Sequence, residues 1–477
     1  MTPQPAADPK AELGPALEPS TDAAVAVEPG RTSAIAALRY RDFRLFWFGL
    51  LVSNTGTWMQ MFGQGYLVVQ LAIRDGVPHL APLYLGLVGL ARAIPGLTFG
   101  LFGGVVADRA DRRRLLLVTQ MLAASTAAIL ATLTISGRID IVQILLLGAI
   151  NSLIFSFDAP SRQAMVPRLV PERDLMSAIG LSSAAFNGPQ IIGPVLGGLI
   201  AAGISAGQPA GSFAGVGGLF AINALSYVAV LMALLFMAPV PVQGGRRDVP
   251  VLRSIREGLG YIRREPVILW AVVLFGLTAL LSRPYIQLLP AVAHDLGAGA
   301  LELSWMFGAS GIGSLVGALA TASLGNVRRR GVLLLGGAGA MSVLLALFGV
   351  QRSLAAALPV LALLGFTTML FLGMVNTLMQ TRAPDHLRGR VMSVHSMLMM
   401  GFMPLGSMIL GSIGTLIGVA NSFIIGSVVV GLVTLYVAVR VPAVRLATSQ
   451  PRHRRHRAQV HPPRTVHAEA RSGGAAD

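Results

Sequence analysis

Nine polar side chains lie inside long apolar runs of this chain: Asn54, Arg92, Asn151, Asn187, Gln190, Arg283, Gln287, Asn376 and His395. Each is costly in hydrocarbon, so such groups normally face a partner or a water-filled cavity. Amides and guanidinium groups at that depth can hold and release a cargo through hydrogen bonds and charge. They are poorly suited to breaking bonds. Arg92 is ten residues into its run, about 15 Å deep at the rise of an α-helix. Asn54, Asn151, Asn187 and Gln190 lie at similar depth, and Asn187 and Gln190 share a helix face. Arg283 and Gln287 lie toward one side of the hydrocarbon, Asn376 and His395 toward the other. The expected role is the lining of a central cavity, with helix–helix hydrogen bonding as the alternative use of each amide.

What is missing narrows the chemistry. No acid sits deep in any run: Asp158 is at an edge, and Asp295 and Glu302 lie in a connection. A proton carrier normally needs a group that titrates inside the barrier. An imidazole, with an ordinary pKa of about 6.5, would suit, but His395 lies only about 7 Å from its boundary by helical rise and reads first as an interface residue. The absence of cysteine excludes disulfides and thiolate metal sites. There is no Gly-x-x-x-x-Gly-Lys phosphate loop and no zinc-protease pair of histidines. The sequence therefore predicts no catalytic residue, cofactor or metal.

The elements that position these groups follow from composition. Of 477 residues, 54% are hydrophobic and 12% charged, about half the charge of a soluble domain. Runs of about 20 apolar residues suffice to cross ~30 Å of hydrocarbon as helix. Twelve are expected, near 45–72, 82–106, 115–135, 141–157, 176–203, 215–238, 267–292, 303–324, 331–350, 354–378, 391–417 and 420–439. The fold class is an all-α polytopic membrane protein. With both termini on one side, nineteen loop arginines fall on that side and three (Arg74, Arg138, Arg352) on the other, which predicts cytoplasmic termini. The net charge of +16 is thus an orientation signal rather than a sign of nucleic acid. Residues 1–38 and 443–477 read as tails, the second carrying the basic run Arg452–Arg457, expected to lie near anionic lipid. Between them, 39–238 and 267–442 are expected to form six-helix bundles joined by a linker, 239–266. In the linker Leu252, Ile255, Leu259 and Ile262 recur at helical spacing opposite arginines, the pattern of an amphipathic helix on the membrane surface.

An internal repeat supports the division. Arg112-Arg113-Arg114 matches Arg328-Arg329-Arg330 at an offset of 216, and Pro171-Glu172 matches Pro384-Asp385 at 213. Two halves offset by about 215 residues are the trace of a duplicated transporter with its site between the halves. The loop after the second span reads Gly104-Val-Val-Ala-Asp108-Arg109-Ala-Asp111-Arg112-Arg113-Arg114. It resembles the Gly-x-x-x-Asp-Arg-x-Gly-Arg-Arg signature of the major facilitator superfamily, departing from it at Asp111, where the pattern has Gly. The resemblance implies twelve helices in two pseudo-symmetric six-helix bundles. It also implies a gate in which Asp108 docks at the start of helix eleven, near Gly389 and Arg390, while Arg112 pairs with Asp158; Arg109 and Arg113 belong to the same gate. Gly193-Pro194-Val-Leu-Gly197-Gly198 looks like the superfamily's exporter motif. Its glycines, like Gly104, permit close helix approach. The superfamily's arginine in span four is missing, with Asn151 the nearest polar group.

Longer strings are similar to one branch: Tyr40-Arg-Asp-Phe-Arg-Leu, Ser53-Asn-Thr-Gly-Thr-Trp-Met-Gln60, Pro160 to Glu172, Glu257 to Arg264 and Gly389-Arg-Val-Met-Ser393. That branch holds the enterobactin-type exporters and macrolide-efflux-like transporters, and the likeness covers about 30–445. It implies an exporter of a bulky amphipathic small molecule, driven by the proton gradient and working as a monomer in the cell membrane. An importer or lysolipid flippase of the same fold, and a receptor that has lost transport, stay open as alternatives.

Overall fold

The computed structural model describes residues 33–209, 211–238, 251–323 and 329–447, without the side chains of 101–105, 107–109 and 251–255. Both tails beyond these limits, the basic run included, lie outside the described residues. So do 239–250 of the linker and the side chains of Gly104, Asp108, Arg109, Leu252 and Ile255.

The described chain is helical, with no strand among the described residues. The first half holds α1 (Arg41–Arg74), α2 (Ala81–Arg109), α3 (Arg112–Ile135), α4 (Ile141–Met165), α5 (Leu175–Asn187), α6 (Pro189–Ser205) and α7 (Ala214–Phe236). The linker forms α8 (Val251–Arg264). The second half holds α9 (Pro266–Leu281), α10 (Tyr285–Asp295), α11 (Ala300–Ser323), α12 (Arg330–Gly349), α13 (Leu354–Arg382), α14 (Asp385–Ile417) and α15 (Val419–Arg440), followed by the short α16 (Pro442–Arg445). Among the described residues, eleven segments are long and apolar enough to cross a membrane. The twelfth expected span is α1, long enough at 34 residues. Its Asn54, Thr55, Thr57, Gln60, Gln64 and Gln70 make it the most polar of the set.

Local chemistry sets the helix ends. Asp140 caps α4 in a capping box with Gln143, satisfying two backbone donors that would otherwise face hydrocarbon. Asp111 caps α3 by accepting from the backbone N–H groups of Arg113 and Arg114 at 3.0 and 3.3 Å. The departure from the family pattern thus has a job as a helix cap. Two expected spans are broken. The fifth divides at Gly188 into α5 and α6, and the seventh at Ser282–Pro284 into α9 and α10. Pro189 follows the first break and Pro284 lies within the second, and neither has the N–H that would continue the ladder.

The packing separates the two ends of the molecule. One hydrophobic core, from Met59 and Phe62 through Leu288, Leu303 and Phe423, is shared by both halves at the end away from the arginine-rich loops. At the arginine-rich end there are two cores. One holds Phe43, Leu116 and Leu234 of the first half; the other holds Ile262, Phe275 and Val391 of the second. Helices pack across the halves as α2 on α14, α6 on α11, and α10 on α1 and α2. This seam is close. A Cβ at Gly86 would meet the Ser407 carbonyl oxygen at 2.7 Å and Met408 Cα at 2.8 Å, and one at Gly311 would meet Ile191 at 2.9 Å. Phe62 and Phe307 meet edge to face across it, 5.8 Å between centroids. The halves are therefore joined at one end, while at the arginine-rich end each packs a core of its own.

Candidate functional site

In the first half the polar groups are tied into two networks. Asp158, almost fully buried on α4, is paired with Arg162 one turn along the same helix. Its Oδ1 also accepts from Thr119 Oγ1 at 2.9 Å and Gln120 Nε2 at 2.6 Å on α3. Arg162 extends the network to α1, donating to Asn54 Oδ1 at 3.2 Å, and Asn54 in turn donates to the Ala185 carbonyl on α5 at 2.9 Å. So Asn54 ties three helices together. Asp158 has a different partner from the one the resemblance implied: the ion pair is with Arg162, while Arg112 Nη1 donates to the Ala164 carbonyl at 3.5 Å. The reason is geometric, since residues four apart on one helix face each other and Arg162 needs no loop to reach the carboxylate.

The second network surrounds Arg92. Its guanidinium donates to Gln64 of α1, its carbonyl accepts from Ser152 Oγ of α4 at 2.5 Å, and Gly148 leaves room for its stem. Asn151 is half-buried beside Ser152. Below these, Asn223 of α7 donates to Gln60 Oε1 at 2.7 Å, both fully enclosed. Gln60, Gln64 and Asn223 were not singled out from the sequence, although glutamine or asparagine in an apolar run was the available signal. Asn187 and Gln190 do bond to each other, at 3.1 Å across the break between α5 and α6.

The second half is different. Arg283 lies in the break of the seventh span, and its Nη1, the Ser282 hydroxyl, the Gln287 Oε1 and the His395 Nε2 are all buried without a hydrogen-bond partner. His395 stacks on Phe275 with 4.3 Å between centroids. Gln287 Oε1 faces Gly89 of α2, where a Cβ would stand 2.8 Å from it. Buried polar atoms are nearly always bonded, so four orphans around one helix break need an explanation. Asn376 is set apart, accepting from Gln380 on its own helix at 2.5 Å.

The gating residues divide. Arg113 caps the end of α7, donating to the Leu234 and Leu235 carbonyls at 2.7 and 3.0 Å, where a cation also complements the helix dipole. Arg390, at the start of the eleventh span, pairs with Glu257 of α8, and Gly258 of α8 lies against the Arg390 carbonyl, 2.7 Å from an ideal Cβ. Among the described residues, nothing outside its own helix turn lies within 4 Å of where a Cβ on Gly389 would stand. Tyr261 Oη donates to the Arg382 carbonyl at 3.1 Å, and Glu265 pairs with Arg382 at 3.5 Å. Burial, helped by the Glu265 carboxylate, holds the Tyr261 phenol above its usual range, so this bond persists at any physiological pH. The linker helix is thus clamped to the second half along α9 and α14, with Ile262 in that half's core, while Leu259 stays 39% exposed. The exporter-type motif faces two ways. Gly193 and Gly197 let α6 settle on Trp58, Met59 and Phe62 of α1, whereas Gly198 opposes Ser304 and the Ala300 carbonyl of α11. Pro194 is buried between these contacts.

Residues 32–473 match the protein family described as transmembrane secretion effector. An enterobactin exporter of Shigella boydii is 25% identical over 370 residues, covering 76% of this chain and 86% of the relative. The multidrug efflux pump Tap of Mycolicibacterium fortuitum is 28% identical over 407 residues, covering 83% and 95%. Among solved structures, a bacterial homologue of the human lysosomal transporter Spinster, inward-facing and unoccupied, superposes with a TM-score of 0.63 at 13% identity, over 85% of this chain and 96% of that one.

Proposed function

Because the chain belongs to the transmembrane secretion effector family of major facilitator transporters, and so moves molecules rather than transforming them, we propose that it exports a bulky amphipathic small molecule from the cell by alternating access. The observation that carries this reading is the division of the packing: one core shared at the far end, two separate cores at the arginine-rich end. Polar groups of both halves line the space between. A cargo of siderophore, antibiotic or drug type is supported by the two exporting relatives, an enterobactin exporter and a multidrug efflux pump. The proton gradient is the proposed drive. In cells lacking their own pumps, expression of this chain should lower accumulation of at least one compound of an amphipathic panel, and a protonophore should abolish the difference. Accumulation that rises with expression would instead mean import.

Orientation belongs to the same proposal. The arginine-rich face is cytoplasmic, and the protein is a single copy in the cell membrane, with 39–238 and 267–442 as the moving bodies and 239–266 as their tether. A reporter fused after Gly245 should report cytoplasm and one fused after Gln208 the exterior; the reverse at both sites inverts the topology and the direction of transport. The loop bearing Asp108, Arg109 and Arg112 closes against Gly389 and Arg390 on the opposite stroke. The labelling experiment in the Discussion tests that gate.

A further inference from the structure

Two guanidinium groups in the hydrocarbon interior have no counter-charge. Arg92 bonds to Gln64, a neutral amide. Arg283 has a buried Nη1 with no partner. Neither belongs to an ion pair among the described residues. The one acid within the described spans away from their ends, Asp158, is already neutralised by Arg162. The cations come from opposite halves at the same level of the seam. Arg92 is one helical turn from Gly89 on α2, Arg283 one turn from Gln287 on α10, and Gln287 Oε1 lies 2.8 Å from where a Cβ on Gly89 would stand. Around Arg283 the Ser282 hydroxyl and His395 Nε2 are likewise unsatisfied, and both can donate.

Isolated buried charge is expensive, and proteins normally pair it. Here a group of donors and two positive charges come together with no matching negative charge among the described residues. We propose that the interface between the two halves binds the anionic group of an amphipathic cargo between Arg92 and Arg283, with Ser282 and His395 donating to it. This assignment rests on the transport reading above and specifies its substrate class: aromatic or lipophilic anions such as sulfonates, carboxylates or phenolates.

The test uses two dyes that share a body and differ in charge, 8-anilinonaphthalene-1-sulfonate and neutral N-phenyl-1-naphthylamine, with the full chain in zwitterionic lipid nanodiscs. The sulfonate should bind at least tenfold tighter than the amine. Arg92→Gln and Arg283→Gln should each weaken the sulfonate at least tenfold and leave the amine within twofold. A second, ligand-free measurement guards against nonspecific dye binding. Gln64→Glu places a carboxylate on Arg92 and should raise the melting temperature of the empty protein while weakening the sulfonate. Sulfonate binding no tighter than the amine, or equal losses of both dyes in the arginine variants, overturns the assignment. So does an unchanged or lower melting temperature in Gln64→Glu. The export reading fails separately: charge-selective binding with no effect of the chain on accumulation in cells would sink export and keep the anion site.

Discussion

Asp158→Ala should cost about 3–5 kcal/mol of folded stability, the usual loss when one member of a buried pair is removed. The carboxylate is 3% exposed and Arg162 14%, so water compensates little. The substitution strands a guanidinium and also removes the acceptor of Thr119 and Gln120. Because Arg162 holds Asn54, and Asn54 the end of α5, the damage should spread over α1, α3, α4 and α5. Replacing both partners, Asp158→Leu with Arg162→Leu, should recover most of the loss, since two apolar groups of similar size leave no buried charge. Thermal unfolding of the purified single and double variants in nanodiscs measures the cycle. Additive losses would mean that the two side chains act independently and that Asp158 is held by its α3 hydrogen bonds alone.

The second large effect concerns the seam. Gly86→Leu puts a side chain where Ser407 and Met408 present backbone, and backbone cannot rotate out of the way. Overpacking of this kind costs about 1–3 kcal/mol, and every 1.4 kcal/mol is about tenfold in a two-state population. The variant should therefore populate the state in which the seam is parted about fivefold to a hundredfold more than the parent. The cysteine-free chain makes this readable. A single Ser304→Cys, buried at the α6–α11 contact, should react faster with an impermeant maleimide in the Gly86→Leu background. A single Ser396→Cys, exposed on α14 near the arginine-rich face, should react more slowly. If Asp108 belongs to the opposing gate as proposed, Asp108→Asn should shift both rates the other way. Unchanged rates in Gly86→Leu would mean that this seam stays shut throughout the cycle.

Much of the fold was legible because burial in lipid leaves a coarse signal. A run of about 20 apolar residues fixes a helix whatever its neighbours do, and the expected spans coincide with the observed helices. The breaks at Gly188 and Ser282–Pro284 were not read, since hydropathy averages over a window and a missing backbone hydrogen bond leaves no mark in it. Polar positions such as Arg92, Arg283 and Gln287 were visible as anomalies in apolar sequence. Their partners were not, because Gln64 or Ser152 becomes meaningful only once α1 and α4 are placed beside α2. Asp158 illustrates the limit: the resemblance pairs it with Arg112, whereas in this structure its carboxylate meets Arg162 one turn along α4. The seam glycines were hidden for another reason. Gly86 is one of 55 glycines, and only the opposing backbone distinguishes it.

The two broken spans bear on how a membrane stays sealed while cargo crosses it. Their far-side segments, α6 and α10, are the pieces that touch the opposite half, on α11 and on α1 and α2. Their near-side segments, α5 and α9, pack within their own halves. A helix relieved of hydrogen bonds at one point can tilt there without carrying its other part along. Outer closure therefore does not require inner opening, as it would for two rigid blocks pivoting on a single axis. Both ends can shut at once around the cargo, like the doors of an airlock. On the proposed transport reading, a chain built this way need never present a continuous water path, and ions would not pass beside the cargo.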